Sequence, residues 1–170
     1  MSANVQMLPL STRSRVLPML AATGFGVGVV DITYAFVVYA RNGVTSTQIL
    51  QGIASGILGR DAFTGSGGAI FGLAIHFFIA YSVTAFYFFL AKQISWLNQH
   101  AILSGVLYGA GVYLFMHYVV IPLAFHRPWR MPSFLAVCEF VEHMLFVGLP
   151  IALVARSAYS WPQLQPEGEK

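Results

Sequence analysis

A chain of 170 residues that is 57% hydrophobic and only 9% charged cannot cover a soluble surface, which draws on about 25% charged residues. Its mean hydropathy of +0.70 marks an integral membrane protein, and a net charge of +3 without a long basic run argues against nucleic acid as a partner and leaves the lipid bilayer as its surroundings. The single cysteine, Cys138, excludes an internal disulfide and is expected to behave as a small buried hydrophobe.

Residues 1–11 are polar and turn-rich and predict a flexible tail. Arg13 and Arg15 then precede an apolar stretch over about 16–40. That stretch exceeds the roughly 7–15-residue apolar core of a signal peptide, so an uncleaved first transmembrane helix is expected. After the Asn42-Gly43 turn signal, Ile49, Leu50, Ile53, Ile57 and Leu58 recur at helical spacing behind a cap at Ser46 or Thr47. They predict a short amphipathic helix over about 46–59, too short to span, lying at the membrane interface.

Further spans are expected over about 67–90, 101–124 and 134–155, each longer than the ~20 residues a hydrocarbon core requires. The short connections at 91–100 and 125–133 imply antiparallel neighbours, and the acidic residues 163–170 predict a second flexible tail. The expected fold class is therefore all-α: a single integral-membrane four-helix bundle, with the interfacial helix between the first and second spans. Positive charge is nearly balanced, five Lys/Arg against four, between the two sides. The arginines before the first helix place both termini in the cytoplasm. Trp96, Trp129 and Trp161 sit beside span ends, where interfacial aromatics belong.

Glycines four apart recur in three spans: Gly24 and Gly28, Gly68 and Gly72, Gly105 and Gly109. Such faces let helix backbones approach closely in lipid. The ionisable residues of the spans are Asp31, His76, His117, Glu139, Glu142 and His143. Counted from the span ends, and allowing for alternating direction, all six fall about 5–9 residues below one surface, a layer roughly 7–14 Å deep. Counted by angle, Glu139, Glu142 and His143 share one arc of about 100°. Gly68, Gly72, His76, Ala80 and Tyr87 share a face, as do Tyr113 with His117 and Gly24 with Asp31. A lone intramembrane histidine is ordinarily a packing residue. Six ionisable residues in one layer, each costly in lipid, point instead to a polar site.

Three chemistries compete for that site. The three histidines and the carboxylates can hold a divalent metal such as zinc, and the spacing Glu139-x-x-x-His143 puts two ligands on one helix face. The same groups could instead relay protons, since Glu139 and Glu142 are near neighbours on one helix and histidine titrates near neutrality. His76 and His117 could instead be axial haem ligands, which the nearby carboxylates and the small chain disfavour. No nucleophile motif of the GxSxG, SxxK or CxxC kind occurs, so the residues name no catalytic group and lean away from an enzyme. Gly65-Ser-Gly-Gly68 lacks the P-loop pattern and reads as a helix entrance. His126-Arg-Pro-Trp-Arg130 reads as an interfacial anchor.

The segment GVLYGAGVYLFMHYVVIPL at 105–123, with Gly105, Gly109, His117 and Pro122-Leu123, resembles a helix of the YagU-like family of small bacterial inner-membrane proteins. His76 with Tyr87 resembles that family's preceding helix, and Glu139 with His143 its last. The similarity spans about residues 67–156, while Glu142 departs from the family pattern. The resemblance implies a bacterial inner-membrane location and a shared set of His76, His117, Glu139 and His143, which become the candidate metal ligands with Asp31 and Glu142 left as a proton or ion relay, but it supplies no substrate. The functional expectation is a small protein that handles or transports a proton or metal cation. Its alternatives are a structural or assembly protein whose polar layer fixes helix packing, and a metal- or haem-dependent redox protein. Four helices make a thin wall around a pathway, so a homodimer or larger oligomer is expected.

Overall fold

A computed structural model describes residues 11–126 and 133–159. The expected tails at 1–10 and 163–170, Trp129, Trp161 and the basic stretch at 127–130 lie outside the described residues. All regular structure among the described residues is helical. In chain order the helices are α1 (Ser11–Ala40), α2 (Ser46–Leu58), α3 (Gly67–Gln93), α4 (Ser95–Gln99), α5 (Ala101–Phe115), α6 (Ile121–Phe125), α7 (Phe134–Glu142) and α8 (Leu149–Tyr159). A 3₁₀ turn, Gly59–Phe63, follows α2, while π turns at Met116–Val120 and His143–Gly148 join α5 to α6 and α7 to α8.

Four continuous stretches are long and apolar enough to cross a membrane: Arg15–Ala40, Gly67–Gln93, Ala101–Phe125 and Phe134–Tyr159. The third and fourth are each two α-helices joined through a π turn. The cause is legible in the residues that follow. Ile121 and Leu149 each donate their backbone N–H five residues back, to Met116 and Met144. The next residue in each case is a proline, Pro122 or Pro150, which has no N–H to give and whose ring crowds the carbonyl four residues earlier. The widened turn absorbs that crowding without ending the span.

Helix α1 packs on α3, both pack on α8, and α8 packs on α5. The buried apolar core lies towards the end that carries the connection between α3 and α5, with Tyr87, Phe88, Ala91, Ala101, Ile151 and Ala155 each at most 1% exposed. Most polar groups there find partners, while Asn98 Oδ1 is buried without a hydrogen bond. Tyr87 and Ser104 hydroxyls meet at 2.8 Å, Tyr108 donates to the Val83 carbonyl at 2.6 Å, and Asn98 donates to the Ala91 carbonyl at 2.6 Å. Each bond links separate turns of backbone and lowers the cost of a polar atom away from water. Large apolar side chains such as Phe78, Phe86, Phe89 and Leu107 face outward, the inverse of a water-facing surface.

The glycine pairs have different partners. A Cβ on Gly24 or Gly28 would press into the Tyr81 or Phe77 ring of α3, at 2.6 and 2.8 Å. A Cβ on Gly109 or Gly148 would run into backbone, the His143 carbonyl and the Gly105 carbonyl respectively. Here α5 and the second π turn touch main chain to main chain. Gly68 and Gly72 do not face another span: their open sides receive the carbonyls of Ala62 and Leu50. Helix α2 therefore folds back onto the first turns of α3. Its N-cap is Thr45, rather than the expected Ser46 or Thr47, in a capping box with Gln48. Gly59, at φ 58°, turns the chain after α2.

Candidate functional site

Asp31 on α1, Glu142 at the end of α7 and His143 at the start of the second π turn converge. One potential ligand atom from each lies within 4.8 Å of the other two. Neighbours in a helix point about 100° apart, yet His143 Nδ1 and Glu142 Oε2 are 2.8 Å apart. The same Nδ1 lies 3.0 Å from the Glu139 carbonyl. A carbonyl only accepts, so Nδ1 carries the hydrogen, and that hydrogen is aligned with the carbonyl rather than with the carboxylate. Both Glu142 oxygens are consequently buried without a hydrogen-bond partner, on a side chain only 2% exposed.

His76, on the buried face of α3, is held from the other side. Its Nε2 donates to the Gly28 carbonyl of α1 at 2.8 Å, which leaves Nδ1 as the second ring nitrogen, 3.8 Å from Asp31 Oδ2. The Gly28 carbonyl is reachable because Gly28 lets α1 and α3 approach closely. One glycine thus serves both packing and the site. Gly68, Gly72, His76, Ala80 and Tyr87, expected to share one face, are all buried.

The remaining candidates stand outside the three-residue cluster. Glu139 accepts a 2.6 Å hydrogen bond from the Tyr39 hydroxyl, tying α7 to α1. His117 lies in the first π turn and stacks on Tyr113, with ring centres 4.3 Å apart. The Tyr113 ring in turn meets His143 edge-on at 5.4 Å. Tyr113 therefore separates His117 from the cluster while touching both it and His143. Of the six residues expected in the layer, Asp31, Glu142 and His143 come together, His76 adjoins them through Asp31, and Glu139 and His117 flank them.

Glu142 is the most deeply buried of the acids among the described residues. Sequence reasoning did not find Tyr39, the Gly28 carbonyl or the π turns. The prolines two residues beyond each π turn were the available signal for the last of these.

Four apolar helices with a carboxylate–imidazole cluster set among them are the marks of a multi-pass membrane protein with a polar site inside its spans. No protein-family model, curated protein or solved structure matches the chain.

Proposed function

We propose that this chain is a bacterial inner-membrane protein, with both termini cytoplasmic, that handles or transports a cation through the site around Asp31, Glu142 and His143. The proposal carries with it the likeness to the YagU-like family, a four-helix bundle assembled as a homodimer or larger, and α2 lying at the interface against α3. The supporting observation is Glu142. A carboxylate buried among spans with neither oxygen hydrogen-bonded is costly to keep, and a bound cation or proton offsets that cost. Proteoliposomes containing the purified chain test this. Wild type is expected to show flux driven by a proton or zinc gradient, and Glu142→Gln to lower it at least tenfold. Wild-type flux equal to that of empty liposomes under both gradients would sink the proposal.

The interhelical bonds from His76 to the Gly28 carbonyl and from Tyr39 to Glu139 favour a second reading, a hydrogen-bond network that sets helix register. Under that reading His76→Ala lowers stability and leaves every flux at the liposome background.

A further inference from the structure

We infer that Asp31, Glu142 and His143 form a binding site for a divalent first-row transition-metal ion of the Zn²⁺ type, with His76 facing its fourth position. The inference rests on the reading of this cluster as a cation site and names the cation.

Donor type narrows the choice. An imidazole nitrogen among the donors is foreign to the all-oxygen shells of Mg²⁺ and Ca²⁺ and normal for zinc-class ions. Spacing is compatible. Two ligands about 2.1 Å from one tetrahedral zinc ion stand ~3.4 Å apart. The three clustered donors lie within 4.8 Å of each other, and His76 Nδ1 lies 3.8 Å from Asp31 Oδ2.

Charge points the same way. Two ionised carboxylates with neutral histidines balance one dication, whereas a single shared proton leaves a net negative charge among the spans. Glu142 is the independent sign of a ligand: its side chain is 2% exposed and set against Asp31 and His143, and neither oxygen is hydrogen-bonded although Oε2 lies 2.8 Å from His143 Nδ1. Each histidine also has one ring N–H anchored on a backbone carbonyl, His143 on Glu139 and His76 on Gly28. That is the outer-shell arrangement that fixes the tautomer of a metal-ligating imidazole: it leaves His76 Nδ1, which faces Asp31, free to ligate, and for His143 it leaves Nε2, because Nδ1 beside Glu142 carries the hydrogen. The sequence-based ligand set is revised accordingly: Asp31 and Glu142 move from relay to ligand, and His117 and Glu139 move out.

The test is zinc binding by the full chain purified in detergent, measured by calorimetry and elemental analysis, with X-ray absorption at the zinc edge. The expected result is one zinc per chain, bound through nitrogen and oxygen only, with one or two imidazoles. A thousandfold excess of Mg²⁺ should not displace it. Affinity should fall at least tenfold in Glu142→Gln and in Asp31→Asn, less in His76→Ala, and stay unchanged in His117→Ala. Circular dichroism checks folding, and Asp31→Asn decides the matter if Glu142→Gln does not fold.

Equal zinc affinity in wild type and Asp31→Asn, sulfur in the zinc shell, or displacement by Mg²⁺ would overturn the inference. So would absence of zinc binding together with a protonated-carboxyl infrared band that disappears in a folded acid-to-amide variant. That last result would leave the cation-site reading standing with a proton as its occupant. Absence of both zinc and that band would remove the inference and the reading together.

Discussion

His143 Nδ1 lies 2.8 Å from the carboxylate of Glu142, its neighbour in the chain, but its hydrogen is directed at the Glu139 carbonyl, 3.0 Å away. The imidazole is thereby anchored by backbone, and the carboxylate beside it is left with neither oxygen satisfied. A close contact that is not a hydrogen bond sets Glu142 apart from Glu139, one turn earlier, whose carboxylate accepts from Tyr39. The contrast is one of partners: Glu139 takes a hydrogen bond from another helix, whereas Glu142 has only the contact with its chain neighbour's imidazole and no hydrogen bond.

Glu142→Gln should therefore raise the stability of the metal-free chain. Removing a buried charge that has no hydrogen bond relieves part of its desolvation cost, about 1–3 kcal/mol. Thermal unfolding in detergent with a chelator present checks this. A lower melting temperature than wild type would mean that the ionised carboxylate has a partner in the metal-free state.

Tyr39→Phe should cost about 1.5–3 kcal/mol, the range for a hydrogen bond to a charged group. A comparable loss should appear in Glu139→Leu, which has no acceptor, and the double variant should cost less than the sum, because both single changes remove one 2.6 Å bond. A double-mutant cycle by denaturant unfolding measures the coupling. Strict additivity would show that the bond contributes nothing.

Gly109→Ala should destabilise by about 1–3 kcal/mol, since the new methyl group meets the His143 carbonyl and Met144 backbone and both helices must move apart. Gly111→Ala, two residues on, meets nothing within 4 Å. It should stabilise by about 0.5–1 kcal/mol through helix propensity alone. Unfolding of the two variants side by side separates packing from propensity, and equal effects would contradict the close approach.

Gly72→Ala should loosen α2 from α3, because the added Cβ runs into the Leu50 carbonyl. Amide hydrogen exchange across Ser46–Leu58 is expected to rise severalfold, while exchange in α5 stays as in wild type. Unchanged protection in α2 would show that its docking does not depend on that glycine.

Pro150→Ala restores a backbone donor after the second π turn and permits an ordinary α-helical register there. The change should re-aim His143, at the start of that turn, away from Asp31 and Glu142. Zinc affinity should fall although no candidate ligand is altered. Affinity equal to wild type would show that the proline does not hold the site's geometry.

Hydropathy alone was enough to place the four spans, because lipid demands long, uncharged, internally hydrogen-bonded segments and these residues provide them. The period of α2 and the shared face of Gly68, Gly72, His76, Ala80 and Tyr87 were legible for a similar reason. Helical geometry turns spacing into direction. That Asp31, His76, Glu142 and His143 belong to one region also followed from counting depth along spans of alternating direction.

What counting did not supply was contact. It assumed straight α-helices, and the π turns before Pro122 and Pro150 break that assumption at His117 and His143. It treated glycine pairs as span-to-span contacts, while Gly68 and Gly72 receive α2. It ranked the acids by pattern, placing Glu139 above Glu142. Only the packed helices show that Tyr39 satisfies one carboxylate, that the Glu139 carbonyl takes the hydrogen the other would need, and that Tyr113 stands between His117 and the cluster. The physical reason is that a residue's depth and direction are local properties of its own helix. Whether its polar atoms are satisfied depends on atoms that other helices bring to within about 3 Å.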